Sequence, residues 1–245
     1  MFFTKNIRKV AFSLKKSIII ILEAKKLKKT RIKFCGITSC QDALSAADAG
    51  ADAIGLVFYP PSCRKVSISA ARKIVRALPP FVTSVCLFVN ATPDRVVSEA
   101  TAVGAALVQL HGDEPPETVR TLSRRGLRVI KAFRIRQPDF ADTVSAWLKK
   151  CRQSRPAAVL LDAYDPTAPG GTGRQIPLTW LTAARRAGKM KDWPPIILAG
   201  GLTPANVADT LRRFRPWAVD VSGGIESAPG KKNPSKMRRF IRAVK

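Results

Sequence analysis

From Arg31 onward, short apolar runs alternate with longer stretches in which apolar residues recur at helical spacing. The short runs are rich in Val, Ile and Leu and are bounded by Gly, Pro, Asp or Asn, which is typical of buried parallel strands. The pattern predicts eight strands: Ile32–Cys35, Ala53–Phe58, Thr83–Val89, Leu107–Leu110, Arg128–Phe133, Ala157–Leu161, Ile196–Leu198 and Ala218–Val221.

The stretches between the strands predict eight helices. Six of them begin with Pro in the first turn, where its missing N–H costs no hydrogen bond. The first ends before Gly50, a residue suited to the left-handed backbone that closes many helices. The predicted helices are Cys40–Ala49, Ser69–Leu78, Pro93–Val103, Pro115–Arg125, Pro138–Lys150, Pro177–Ala187, Pro204–Phe214 and Pro234–Val244.

This repeated strand–helix alternation indicates an α/β protein with a parallel sheet. Eight units within residues 31–245 favour a closed (β/α)8 TIM barrel that forms a single domain. An open, doubly wound sheet is the alternative. Its dinucleotide-binding version is disfavoured because no G-x-G-x-x-G motif follows the first strand.

Residues 1–30 differ in composition from the rest, with nine Lys or Arg and one acidic residue, Glu23. The apolar run from Ser17 to Leu22 is too short to span a bilayer, so no transmembrane segment is expected. We predict a basic N-terminal extension that is disordered or loosely helical. An organellar targeting peptide and a basic helix lying on a membrane surface are alternatives.

Charge and cysteine content narrow the choice of partner and compartment. The net charge of +26 attracts anions in general, but its spread along the chain predicts no specific nucleic-acid partner. Five cysteines without a C-x-x-C pair fit a reducing, cytoplasmic setting. Because His111 is the single histidine, a histidine-based metal site is not expected.

In a barrel of this kind the active site lies at the carboxyl ends of the strands. Polar residues at or near these ends are therefore candidates for chemistry and substrate binding. They are Cys35, Arg64, Gln109, Asp162 and Asp220.

Glycine-rich turns follow the last three strands and are candidates for phosphate binding. Glycine lets backbone N–H groups approach an anion closely, and many such barrels bind phosphate after strands seven and eight. Tight turns without a ligand are the alternative. The candidates are Gly171, Gly173, Gly200, Gly201, Ser222 and Gly223.

A thiol and a carboxyl at one barrel mouth suit a proton-shifting reaction without a cofactor. Cys35 serves as a base if nearby cations lower its pKa, and Asp162 serves as an acid if burial raises its pKa. Each residue also has a structural alternative. Cys35 is then an inert buried cysteine, Asp162 caps a loop and Arg64 is a surface arginine.

The chain resembles the phosphoribosylanthranilate isomerase family of tryptophan biosynthesis. The motifs that carry this resemblance are CGIT at residues 35–38, QLHG at 109–112, LLD at 160–162 with GGTG at 170–173, and VDVS at 219–222. They occur in family order, and the matching stretches span Arg31 to about Lys245. The resemblance implies a (β/α)8 isomerase that needs neither metal nor cofactor and exists as a monomer or homodimer.

The resemblance also implies roles at the matching positions. Cys35 corresponds to the general base, Asp162 to the general acid and Arg64 to the arginine that meets the anthranilate carboxylate. Asp220 lines the substrate pocket together with Gln109. The glycine-rich turns hold the phosphate of the substrate.

Three positions depart from the family pattern: Lys65 stands in place of an aromatic residue, VDVSGG in place of VDVSSG, and GKKN in place of GKKD. Other functions therefore stay open. One is another phosphate-binding TIM-barrel enzyme acting on a sugar phosphate. Another is a basic barrel recruited to bind nucleic acid or membrane.

Deleting residues 1–30 is expected to leave a folded and active barrel, because the predicted core starts at Arg31. Circular dichroism and an activity assay on the shortened chain check this. Loss of soluble protein on deletion would show that the extension contributes to folding.

Overall fold

Eight parallel strands close into a barrel in the computed structural model, which describes residues 29–151, 154–164 and 174–245. Each strand pairs with the next in sequence, and the last pairs back onto the first. This order confirms the predicted (β/α)8 fold and rules out the doubly wound sheet. The strands are β1 Arg31–Cys35, β2 Ala53–Val57, β3 Thr83–Phe88, β4 Leu107–Leu110, β5 Arg128–Ile135, β6 Ala158–Ala163, β7 Ile196–Leu198 and β8 Ala218–Val221.

Among the described residues, eight helices alternate with these strands, and a short hairpin precedes the last helix. The helices are α1 Cys40–Ala49, α2 Ile68–Ala77, α3 Pro93–Val103, α4 Pro116–Arg124, α5 Phe140–Lys150, α6 Leu178–Arg186, α7 Val207–Phe214 and α8 Pro234–Val244. Between β8 and α8 lie a 3₁₀ turn, Gly223–Ile225, and an antiparallel hairpin of β9 Glu226–Ala228 and β10 Lys231–Lys232.

Side-chain caps explain where several helices begin. The Ser39 and Thr92 hydroxyls accept hydrogen bonds from backbone N–H groups in the first turns of α1 and α3. Asn233 does the same for α8, accepting from the Lys236 N–H at 3.0 Å. The asparagine of the GKKN sequence thus supplies the cap, so this departure from the family pattern leaves the start of the helix intact.

Two helices begin two or more residues later than the sequence pattern predicts, and two strands end two residues later. Helix α5 begins at Phe140 rather than Pro138, and α7 begins at Val207 rather than Pro204. Before α7, Asn206 accepts from the Thr203 N–H, which holds this segment as a turn. Strands β5 and β6 continue pairing through Ile135 and Ala163, so Asp162 lies within a strand rather than after one.

Two apolar layers form the core, because successive strand residues point to opposite sides. The inner layer fills the barrel with residues such as Val85, Ile130, Leu160 and Ile197. The outer layer packs the other strand faces against the helices. Its largest fully buried side chains include Phe34, Phe88, Phe214 and Phe240.

A buried ion pair outside the barrel secures the loops after β3 and β4. Lys131 of β5 donates to Glu114 at 2.9 Å and to the Gly112 carbonyl at 2.7 Å. Glu114 also accepts from the backbone N–H groups of Asn90 and Gly112. Both charged side chains are 3% exposed. The pair therefore connects a strand with two loops at the carboxyl end of the barrel.

The N-terminal boundary lies partly outside the described residues. Strand β1 begins at Arg31, whereas residues 1–28 are not among the described residues. The assignment of residues 1–30 to an extension therefore stays a prediction. Within the ranges that the structure covers, none of the helices has the length and apolar character needed to cross a membrane.

We predict that Lys131→Met lowers the free energy of unfolding by about 3 to 5 kcal/mol, because it leaves the Glu114 carboxylate buried without its cation. Urea denaturation measures this loss. The matched control is Lys131→Met with Glu114→Gln, which removes both charges and is expected to cost less. An equal or greater loss in the double variant would show that the charge pairing is not the cause.

Candidate active site

Alternation along the strands sets which side chains line the barrel mouth. Ala158 and Leu160 of β6 belong to the inner layer, so Asp162, two residues further, points inward as well. On β1, Lys33 and Cys35 share the inward face, since Lys33 bonds to Asp220, which lies two residues after the inner-layer Ala218. Cys35 and Asp162 therefore face the same mouth from β1 and β6.

A buried ion pair lies directly beneath the thiol. Lys33 donates to Asp220 of β8 at 2.9 Å, and the two side chains are 4% and 7% exposed. A Cβ added to Gly55 would lie 2.7 Å from Cys35 Sγ and 3.1 Å from Lys33 Nζ. The thiol and the ammonium group are thus close neighbours, and only glycine at position 55 leaves room for both.

Burial and charge act on this thiol in opposite directions. Burial raises the pKa of Cys35, the Lys33 charge lowers it and the Asp220 charge raises it, so the pKa is raised overall. Burial also lowers the pKa of Lys33, but Asp220 and Cys35 outweigh this effect and raise it overall. Lys33 is therefore held as a cation beside a thiol whose neutral form is favoured by burial.

Asp162 receives a hydrogen bond from the single histidine. His111 Nε2 lies 3.2 Å from Asp162 Oδ2, and His111 Nδ1 lies 2.9 Å from Gln109 Nε2. Because the amide nitrogen is a donor, Nδ1 accepts and the ring proton is on Nε2, from which it is donated to Asp162. The sequence analysis gave no catalytic role to His111, yet the structure connects it to the carboxyl group.

Gln109 is fully buried on β4 and is incompletely paired. Its Oε1 atom has no hydrogen-bond partner among the described residues. A buried, unpaired amide oxygen carries a desolvation cost, which a bound hydroxyl or amine removes. This observation is compatible with the substrate-binding role expected for Gln109.

Arg64 lies at the rim, where it pairs with an acid that the sequence analysis did not identify. Its Nε and Nη2 atoms donate to the two carboxylate oxygens of Glu226, each at 2.8 Å. Lys232 also donates to Glu226, at 2.7 Å. A Cβ on Gly36 would lie 2.5 Å from the Arg64 side chain, which therefore packs over the residue that follows Cys35.

The charged side chains of this rim cluster shift one another's pKa values. Burial raises the pKa of Glu226, but the hydrogen bonds and charges of Arg64 and Lys232 outweigh it and lower the pKa overall. Burial lowers the pKa of Lys232, and Glu226 opposes this only in part. Glu226 is thus firmly ionised and holds two cations at the mouth.

The candidate phosphate turns after β7 and β8 lie at the same end of the barrel as Cys35 and Asp162. Gly200 and Gly201 have positive φ angles of 88° and 58°. Their N–H groups donate to no acceptor among the described residues, whereas the Gly201 carbonyl accepts from Asn206. Ser222 and Gly223 lead into the 3₁₀ turn. Gly171 and Gly173 lie outside the described residues.

Three residues of the site escaped the sequence analysis for different reasons. Lys33 had a detectable signal: it is charged, lies in an apolar strand, and is two residues from Cys35 and therefore on the same face. Glu226 and Lys232 follow the last strand and gave no comparable signal. The link of Glu226 to Arg64 spans 162 residues and depends on closure of the barrel.

We predict that Glu226→Gln lowers the free energy of unfolding at neutral pH by about 1.5 to 3 kcal/mol, the range for hydrogen bonds to charged groups. Because the folded-state pKa of Glu226 is lowered, its contribution is complete above the carboxyl's ordinary value and disappears as the pH falls through the lower folded value. The difference between wild type and variant therefore shrinks below about pH 4.

Urea denaturation at a series of pH values measures that difference. Asp209→Asn is the control, since Asp209 pairs with the exposed Arg212 and should cost less than about 1 kcal/mol. A difference between wild type and Glu226→Gln that stays constant down to acidic pH would contradict the assigned ionisation.

Comparison with known proteins identifies one family by both a family model and individual relatives. Residues 32–243 match the family model described as N-(5'-phosphoribosyl)anthranilate (PRA) isomerase. The enzyme of that name from Geobacter sulfurreducens is 49% identical over 215 residues, covering 88% of this chain and 98% of the relative.

Two solved structures are similar in fold as well as sequence, and each comparison covers 88% of this chain and 98% of the other. A phosphoribosylanthranilate isomerase in complex with reduced 1-(o-carboxyphenylamino)-1-deoxyribulose 5-phosphate has a TM-score of 0.74 at 35% identity. Monomers generated from the dimeric isomerase of Thermotoga maritima have a TM-score of 0.74 at 33% identity. The chain therefore belongs to the N-(5'-phosphoribosyl)anthranilate isomerase family.

Proposed function

We propose that this isomerase converts N-(5-phosphoribosyl)anthranilate to 1-(o-carboxyphenylamino)-1-deoxyribulose 5-phosphate in L-tryptophan biosynthesis, with Cys35 as general base and Asp162 as general acid. The observation that carries the proposal is that a thiol and a carboxyl face one barrel mouth from β1 and β6. Family membership and the glycine turns after β7 and β8 support it.

Asp162 begins the reaction by giving a proton to the ribose ring oxygen. The bond between this oxygen and C1 breaks as the nitrogen lone pair forms a protonated Schiff base. The reaction leaves Asp162 as a carboxylate. The N–H of His111, 3.2 Å away, stabilises that anion because a hydrogen bond to the charged form favours it.

Cys35 carries the second half of the reaction by removing the proton from C2 of the open-chain sugar. The electrons move into the C1–C2 bond and onto the Schiff base nitrogen, which gives an enolamine. Tautomerisation then gives the ketone. Because the substrate's own nitrogen accepts the electrons, the proposed chemistry is general acid–base catalysis.

The two anionic ends of the substrate define the remaining roles. Arg64 binds the anthranilate carboxylate through its Nη1 side, since Nε and Nη2 are occupied by Glu226. Gly200, Gly201, Ser222 and Gly223 bind the phosphate through backbone N–H groups. In the family pattern Gly171 and Gly173 complete this site.

The inner wall of the pocket is formed by Gln109 and Asp220. The unpaired Oε1 atom of Gln109 accepts a hydrogen bond from the substrate. Asp220 is bonded to Lys33, so its main effect on the substrate is through the charge beneath the thiol.

The assembly and compartment are part of the same proposal. All five cysteines are free thiols, which suits an enzyme whose base must stay reduced in the cytoplasm. We propose a monomer or a homodimer, and the dimeric relative from Thermotoga maritima supports the latter. Sedimentation of the purified chain distinguishes the two.

We predict that Cys35→Ser and Asp162→Asn each lower kcat by about 100-fold or more, the usual scale for loss of a general base or acid. The assay follows the fluorescence of phosphoribosylanthranilate as it is consumed. Cys40→Ser and Asp48→Asn are matched controls on α1 and should keep wild-type turnover. Near-normal turnover in both site variants would refute the assignment of roles.

A further inference from the structure

We propose that Lys33 is a positioning residue whose positive charge stabilises the thiolate form of the base Cys35. Asp220 partly offsets this effect with its negative charge. The proposal rests on the proposed function, since it explains how a buried thiol becomes a base. It adds to that function two charged residues that act through Cys35.

Geometry places Lys33 at the thiol. Lys33 and Cys35 are separated by one residue on β1 and therefore point into the barrel from the same strand face. Both the ammonium nitrogen and the sulfur lie within 3.1 Å of the point where a Cβ on Gly55 would be. Lys33 is 3% exposed and Cys35 is 7% exposed, so little water screens the interaction between them.

Among the described residues, the charged groups near Cys35 act on the thiol in opposite directions. Lys33 of β1 and Lys232 of β10 favour the thiolate, whereas Asp220 of β8 disfavours it. Arg64 approaches over Gly36, but Glu226 largely neutralises it. Tyr59 packs on the apolar cluster around the thiol, and Asp162 faces the mouth from β6.

Lys33 has the largest influence among these cations. Its charge is the greatest of the effects that lower the pKa of Cys35, whereas the charge of Lys232 has a smaller effect of the same sign. Lys232 is also bonded to Glu226, and burial lowers its own pKa. The pKa of Lys33, in contrast, is raised, so its charge persists throughout the working range of an enzyme.

Asp220 affects the thiol in two opposite ways. As the carboxylate bonded to Lys33, it keeps the lysine charged despite burial, but its negative charge also opposes formation of the thiolate. Removing the lysine and removing the aspartate should therefore move the pKa of Cys35 in opposite directions. A purely structural role for the pair predicts no such opposition.

The experiment measures the pKa of Cys35 in the ligand-free enzyme. Iodoacetamide is the probe, and mass spectrometry of the Cys35 peptide gives its alkylation rate at a series of pH values from neutral to strongly alkaline. The proteins are wild type, Lys33→Met, Asp220→Asn and the double variant, each checked for folding by circular dichroism. Lys33→Arg tests whether a different cation rescues the thiol.

We expect Lys33→Met to raise the pKa of Cys35 by about 1 to 3 pH units, the range for loss of one nearby opposite charge. Asp220→Asn should lower the pKa, and the double variant should fall between Lys33→Met and wild type. Lys33→Arg should lie nearer wild type than Lys33→Met does. The acidic limb of the kcat/KM profile should follow the same order.

An unchanged thiol pKa in Lys33→Met, or shifts of the same sign in Lys33→Met and Asp220→Asn, would overturn the proposal. If Lys33→Met does not fold, the double variant compared with Asp220→Asn gives the effect of the lysine without leaving a buried carboxylate unpaired. Alkylation requires no substrate. Failure of the proposed function would therefore appear separately, as full activity in Cys35→Ser.

Discussion

The buried ion pair between Lys33 and Asp220 joins the two strands at which the barrel closes. Lys33 and Asp220 are register partners across β1 and β8, as well as bonded side chains. A shift of β1 by one residue would turn Lys33 into the apolar layer beneath the helices and turn Cys35 away from the mouth. Buried ion pairs add little net stability on average, but a register that left either charge buried without its partner would be strongly destabilising. This pair therefore fixes the alignment of the strands and, with it, the position of the thiol.

The other polar networks lie at one end of the barrel. The lower interior is apolar, whereas the carboxyl ends of the strands carry the Gln109–His111–Asp162 hydrogen-bond chain. At the rim, Glu226 pairs with Arg64 and Lys232. On the outer face of the strands, Glu114 pairs with Lys131. Each network joins different strand–helix units, so each forms only when those units have packed together. The apolar layers thus make the scaffold, and the charged networks position the groups that act on a substrate.

The sequence was sufficient to predict the fold, because every strand is short and apolar and most helices have recognisable ends. Element boundaries were predicted wrongly where tertiary contacts determine them. Strand pairing extends β5 and β6, and the hydrogen bond that Asn206 accepts from Thr203 delays the start of α7. In the site, residues near strand ends such as Cys35 and Asp162 were accessible to prediction. The bond between Arg64 and Glu226 was not, because no local pattern connects a loop after the second strand with a hairpin after the eighth. Lys33 was overlooked although strand alternation places it beside Cys35.

The bidentate hydrogen bond that Arg64 donates to Glu226 has a consequence for recognition. A free arginine side chain samples many rotamers, and a ligand that captures it loses binding energy in proportion to that freedom. Here the guanidinium plane is already oriented by a carboxylate of the protein itself, with the Nη1 edge left toward Cys63 and the rim. A planar acid that docked at that edge would therefore cost the arginine almost no torsional entropy. The fixed plane of the guanidinium would also determine the orientation of the bound acid.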